Sequence, residues 1–127
     1  MDFSGCSVLI VDDEPYYRSS IRVAIELTLG AEVIEVDNGS EALDYLKKEK
    51  PDLILMDINM PLMDGVTCLE RIRKDPGLKD IAVIPYTQES SEEVKKKLYD
   101  LGIEDFIIKG IDLDRMISKI EKALQKN

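Results

Sequence analysis

Asp12 and Asp13, Asp57, Thr87 and Lys109 each stand directly behind a short, largely apolar run: Cys6 to Val11, Leu53 to Met56, Ile81 to Tyr86 and Asp105 to Ile108. Runs that short and apolar on both faces read as strands buried in a parallel sheet. In open α/β sheets, ligands bind at the carboxyl ends of the strands. Neighbouring strands lie about 4.8 Å apart, so adjacency of the first and third strands brings three carboxylates together. Like charges at that range raise one another's pKa and destabilise the fold. A hard divalent cation relieves them, and magnesium, or manganese in its place, takes oxygen ligands and keeps several waters. Beside such a cation Asp57 can act as a nucleophile toward phosphorus and form an aspartyl phosphate. Lys109 can then pair with one phosphoryl oxygen and the Thr87 hydroxyl can donate to another. Singly, each residue has a plainer reading: Asp57 as a loop acid or helix cap, Lys109 as a solvated strand-end lysine, Thr87 as a turn cap. An acid pair, a central acid, a hydroxyl and an amine in this order make the specific signal.

Composition narrows the chemistry further. The sequence has no histidine, which removes Ser-His-Asp and Cys-His triads and histidine-bearing zinc sites. The net charge of −9 argues against nonspecific binding to nucleic acid or to an anionic membrane. No apolar run approaches a membrane span and no signal-peptide pattern opens the chain, so a cytoplasmic protein is expected. Cys6 and Cys68 form no spaced framework and are expected to be reduced and packed. The 127 residues, 44 % of them apolar, suit a single domain over 1–127 with a sizeable core.

The elements that must position these groups alternate along the chain. After the first strand, Pro15 suits the first turn of a helix, whose inward residues are Ile21, Ala24, Ile25 and Thr28 and which Gly30 ends. Ala31 to Val36 reads as a strand, and Glu32 and Glu35 make it an edge strand. Asn38 and Glu41 form a capping box for a helix through Leu43 and Leu46. Asp64 caps a third helix with Val66, Leu69 and Ile72 inside. Ser90 and Glu93 form a second capping box, for a helix facing Val94, Leu98 and Leu101 inward and ending at Gly102. Asp112 caps a last helix that buries Met116, Ile117, Ile120 and Leu124. Five strand–helix units in strict alternation imply a parallel sheet with helices on both faces.

The sequence resembles the bacterial response-regulator receiver domains over its whole length. The resemblance is carried by Val8-Leu9-Ile10-Val11-Asp12-Asp13-Glu14, by Met56-Asp57-Ile58-Asn59-Met60-Pro61-Leu62-Met63-Asp64-Gly65, by Thr87, and by Phe106-Ile107-Ile108-Lys109. It implies a flavodoxin-like (βα)5 fold with strand order 2-1-3-4-5, the order the general doubly wound rule gives for chemotaxis regulators. It also implies that Asp57 accepts a phosphoryl group from a sensor histidine kinase or phosphotransfer protein. Asp12 and Asp13 would bind magnesium together with Asp57 and the backbone carbonyl of Asn59, while Thr87 and Lys109 hold phosphoryl oxygens. Thr87 and Phe106 are the expected switch pair, the aromatic turning inward to repack the face of helix four, strand five and helix five. That face is where an unknown downstream protein, an output domain or a phosphorylation-dependent second copy would bind. Such a chain is a switch rather than an enzyme on external substrates, and is either a stand-alone receiver or part of a larger regulator.

Two positions depart from the family pattern. Gln88 follows Thr87 where a small residue is usual, and Gly110 follows Lys109 where proline, often with a cis bond, is usual. A cis bond before glycine would cost about 3 kcal/mol, so a trans Lys109–Gly110 bond and a looser loop are expected. Asn59 and Glu89, two residues after Asp57 and Thr87, are the expected tuners of phosphoryl lifetime, and polar groups at both imply a short-lived state. Two other readings compete: a binding-only receiver that takes no phosphoryl group, and a haloacid-dehalogenase-like magnesium-dependent phosphatase. The second needs an acid where Asn59 stands.

Overall fold

The computed structural model describes residues 2–60, 63–88 and 91–125. The chain alternates β1 (Ser7–Val11), α1 (Pro15–Leu29), β2 (Glu32–Val36), α2 (Gly39–Leu46), β3 (Leu53–Asp57), α3 (Gly65–Lys74), β4 (Ala82–Thr87), α4 (Glu92–Asp100), β5 (Ile107–Ile108) and α5 (Leu113–Gln125). The strands form one sheet in the order β2-β1-β3-β4-β5, with every pairing parallel. The order implied by the family resemblance is therefore the observed one.

Side chains alternate across the strands and build a core on each face. Val8, Ile10, Leu53, Leu55 and Ile84 pack against α1 and α5 through Ile21, Ile25, Met116 and Ile120. Leu9, Val11, Ile54, Met56 and Val83 pack on the other side against Ala42, Leu46, Leu69, Ile72 and Leu98. Central β3 is buried along its whole length, which is why its sequence shows no polar alternation. At the edge, Glu35 of β2 is held by Arg18 and Arg22, each at 2.9 Å. Burial opposes its charge, but the two guanidiniums outweigh that and lower its pKa.

Local signals place most helix ends. Asn38 accepts from the Glu41 N–H, Asp64 from Thr67 and Asp112 from Arg115. Gly30 ends α1 in the left-handed region at φ 74°, as glycine allows. Several expectations need correction. Thr28 is exposed, and Leu29 takes the inward position at the end of α1, because the apolar side chain has more to gain from burial. The N-cap of α4 is Ser91, which accepts from the Val94 N–H at 3.1 Å; Ser90 lies outside the described residues. Strand β5 is two residues long rather than four. The carbonyls of Val83 and Thr87 accept from Glu104 and Lys109 on the β5 side. Pro85 lies between them on that same side and has no N–H to offer there, so the ladder cannot be continued through it.

Candidate functional site

Asp12 follows β1 and Asp57 ends β3, on neighbouring strands paired through Val11 and Met56. Each carboxylate makes the same local bond. Asp12 Oδ1 accepts the Glu14 N–H and Asp57 Oδ1 accepts the Asn59 N–H, both at 3.0 Å. This two-residue reach is the Asx turn that aspartate favours. It leaves both Oδ2 atoms aimed at one amine: Lys109 Nζ lies 3.2 Å from Asp57 Oδ2 and 3.6 Å from Asp12 Oδ2. The turn after β1 is fixed from behind, because Arg18 donates to the Asp12 carbonyl at 2.5 Å. The turn after β3 is fixed by α3. A Cβ on Gly65 would stand 2.4 Å from the Asp57 carbonyl oxygen, so only glycine lets that helix start so close to the acid.

Lys109 and Thr87 are tied to each other through the Lys109 N–H, which donates to the Thr87 carbonyl at 2.7 Å. The Thr87 side chain is buried, and its Oγ1 accepts from the Asn59 carboxamide at 2.7 Å. A cavity of about 360 Å³ is lined by Asp13, Glu14, Pro15, Asp57, Asn59, Gln88 and Lys109. Asp57 itself is only 2 % exposed, so an incoming group meets a carboxylate that is accessible from one side.

Electrostatics show that this site is short of positive charge. Burial pushes the Asp57 pKa up from 3.8 to about 6; the Asn59 N–H and Lys109 pull it down, and Asp12 pushes it up again. Burial also opposes the charge on Lys109, but Asp12 and Asp57 more than compensate and raise its pKa. One carboxylate oxygen each of Asp12, Asp13 and Asp57 lie within 4.8 Å of one another. An all-oxygen, multiply anionic donor set of that size fits a hard divalent cation such as magnesium. The same charge excess that raises the Asp57 pKa is what such an ion would relieve.

The structure thus brings Asp12, Asp13, Asp57, Asn59, Gln88, Thr87 and Lys109 to one edge of the sheet. Phe106 is elsewhere. It is already buried, packed in the α2–α4 layer with Leu98 and with Lys95 Nζ 5.7 Å from its ring centroid. Gly110 has φ 99° and nothing within 4 Å of where a Cβ would be. Among the described residues there is no cis peptide bond, so the Lys109–Gly110 bond is trans as expected. Glu89 lies outside the described residues. Sequence reading missed Tyr86 and Tyr17. The Tyr86 hydroxyl donates to Asp12 Oδ2 at 2.7 Å, and Lys109 Nζ lies 4.8 Å and 5.0 Å from the Tyr17 and Tyr86 ring centroids. Period two places Tyr86 on the opposite face from Thr87, but the meeting of its hydroxyl with Asp12 follows only from the order of β1, β3 and β4 in the sheet.

Comparison with known proteins agrees with this geometry. Residues 8–121 match the family model of the response regulator receiver domain. The chain is 36% identical over 118 residues to the chemotaxis protein CheY of Bacillus subtilis, covering 92% of this chain and 96% of that protein. It is 32% identical over 122 residues to the phosphate regulon transcriptional regulatory protein PhoB of Pseudomonas aeruginosa, covering 96% of this chain and 53% of that regulator. Among solved structures, the signal receiver domain of a signal transduction histidine kinase from Syntrophus aciditrophicus superposes with a TM-score of 0.86 at 31% identity, over 95% of this chain and 91% of that one. The chain spans about half or less of the length of the longer curated relatives it matches.

Proposed function

The chain belongs to the response regulator receiver domain family, whose members are phosphorylation-activated switches of two-component systems, and on that footing we propose that Asp57 is its phosphoacceptor. The observation that carries the proposal is the Asp57 carboxylate itself: tied at Oδ1 by the Asn59 N–H, facing Lys109 at Oδ2, and opening on a cavity beside Asp13. Receiver domains bind magnesium in an acidic pocket. Here Asp13 and Asp57 would hold the ion with the Asn59 carbonyl, and Asp12 would assist. When bound, the ion supplies charge neutralisation for the phosphoryl oxygens.

The chain's own residues do the rest. An Asp57 carboxylate oxygen attacks phosphorus as the bond to the donor nitrogen or acyl oxygen breaks, and the departing group keeps that electron pair. Lys109 moves from the carboxylate to a phosphoryl oxygen. Thr87 leaves the Asn59 carboxamide and donates to another. Asn59 therefore couples the loss of the phosphoryl group to the position of Thr87, and a short phosphoryl lifetime follows if its freed amide orients water. Phe106 is buried in the same cluster as Leu98, and we take Thr87 and Phe106 as the switch pair, with the movement of Thr87 repacking the residues around the ring. Tyr99, Ile108 and Leu113 are exposed on α4, β5 and α5, which supports that face as the surface for an output partner or second copy.

Receiver domains receive their phosphoryl groups from histidine kinases or phosphotransfer proteins and act on output partners, and a sensor kinase and a transcriptional regulator are both among the relatives. For this chain we take residues 1–127 as one receiver domain acting as a switch, with no reaction on an external substrate. Among the described residues, no helix is long and apolar enough to cross a membrane. A phosphatase of the haloacid-dehalogenase type needs an acid at position 59, and the Asn59 amide is instead a donor to Thr87. The test is chemical mapping. The protein is treated with acetyl phosphate and magnesium, the acyl phosphate is reduced with borohydride, and the peptides are sequenced by mass. Reduction confined to Asp57 is expected; a label on another acid would move the phosphoacceptor elsewhere, and no label at all would point to a binding-only receiver.

A further inference from the structure

The phosphoacceptor reading leaves unexplained how Lys109 chooses between two carboxylates. Asp12 and Asp57 both turn an Oδ2 toward its ammonium, at 3.6 Å and 3.2 Å. Asp12 is the more deeply enclosed of the two, being wholly buried, and a buried unpaired carboxylate should claim a nearby cation strongly. The observed distances run the other way. Only the Asp57 contact is a hydrogen bond.

Tyr86 supplies the reason. Its hydroxyl donates to Asp12 at 2.7 Å, and the oxygen it takes is Oδ2, the one that faces Lys109. With Oδ1 accepting from the Glu14 N–H, both oxygens of Asp12 already have donors. The Tyr86 ring is stacked on Tyr17, with centroids 5.9 Å apart and planes inclined by 16°. The lysine ammonium lies within 5.0 Å of both rings, close enough for cation–π attraction. A buried tyrosine needs some partner for its hydroxyl, and core packing alone would be content with any acceptor. Here the acceptor atom is the competitor for the reactive lysine.

We propose that Tyr86 is a positioning residue of the phosphoryl-transfer site: by occupying Asp12 Oδ2 it commits Lys109 to Asp57, while the stacked Tyr17 ring helps to confine the ammonium. This rests on the reading of Asp57 as phosphoacceptor. It means that position 86, immediately before the switch threonine, sets the availability of the lysine to the incoming phosphoryl group.

The experiment is a coupling measurement by NMR on lysine-labelled, metal-free protein, with the Lys109 ε-methylene signal assigned through Lys109→Arg. In the wild type, Asp57→Asn should shift that signal more than Asp12→Asn does. In a Tyr86→Phe background the order should reverse, because Asp12 Oδ2 then has only Lys109 to pair with. The rate of phosphorylation by acetyl phosphate with magnesium should fall at least severalfold in Tyr86→Phe. A Tyr17→Leu variant, which keeps the Tyr86 hydroxyl, should preserve the wild-type order of the two shifts. An unchanged order in Tyr86→Phe, with an unchanged rate, would reduce Tyr86 to a core residue and overturn the proposal. Equal shifts in the wild type would also overturn it, whether or not Tyr86→Phe folds. If the shifts reverse as expected but even the wild type takes no phosphoryl group, the control of Lys109 stands and the phosphoacceptor reading fails.

Discussion

Replacing Asp57 by asparagine should make the metal-free protein more stable at pH 8, even though it removes the proposed phosphoacceptor. Asparagine has nearly the same shape and can still accept the Asn59 N–H, but it carries no charge. The Asp57 pKa is about 6 in the native protein against an ordinary 3.8. At about 1.4 kcal/mol per pH unit, the ionised carboxylate costs the fold roughly 3 kcal/mol. The sign follows from linkage. Below pH 3.8 the acid is protonated in native and unfolded chains alike and costs nothing. Between 3.8 and about 6 the unfolded chain ionises first, and the native state loses ground as pH rises. Above about 6 the cost is fully present. Urea titrations of wild type and Asp57→Asn in the presence of a chelator should therefore differ by up to roughly 3 kcal/mol at pH 8, a Tm difference on the order of 10 °C, and nearly converge at pH 4. Magnesium should narrow the gap at pH 8 by stabilising the wild type. A variant no more stable than wild type at pH 8, or a difference of the same size at pH 4, would refute the picture of a carboxylate cluster held short of positive charge.

Three further substitutions probe the fold, two of them beside the site and one at the opposite edge of the sheet. Gly65→Ala should cost about 2 kcal/mol and displace the Asp57 turn, since its Cβ would lie 2.4 Å from the Asp57 carbonyl oxygen; wild-type stability and phosphorylation would show that the helix has room to move. Arg73→Met should cost about 3 kcal/mol in urea unfolding with the m-value unchanged, because its guanidinium donates to the carbonyls of Leu101, Gly102, Lys79 and Ile81. A midpoint equal to wild type would mean that water replaces those bonds without loss. Gly110→Pro should destabilise the loop after Lys109 by about 1–3 kcal/mol and slow phosphorylation, because the native φ of 99° is closed to proline. An unaffected variant would show that this loop rearranges without moving the lysine.

Much of this site was legible because its residues sit where the sequence changes character. Asp12, Asp57, Thr87 and Lys109 each end an apolar run, and parallel strands deliver such ends to one edge whatever packs around them. Strand order needed the family resemblance, since alternation alone is compatible with several orders. Other features depend on contacts that no local pattern records. Tyr86 looks like a core residue because its ring is one, and only the pairing of β4 with β3, and β3 with β1, puts its hydroxyl against Asp12. The choice of Leu29 over Thr28, and of Ser91 over Ser90, turns on a one-residue phase within a helix turn, at the limit of what spacing defines. The shortness of β5 was readable in principle, because Pro85 stands in the neighbouring strand. Its effect falls on the partner rather than on its own segment.

The measurement closest to the central claim is intact mass after incubation with acetyl phosphate, with and without magnesium, on wild type and Asp57→Asn. The account predicts a gain of a single phosphoryl group in wild type that requires both the metal and Asp57. A folded wild type that gains nothing under rapid trapping, or a gain that survives Asp57→Asn, would contradict it.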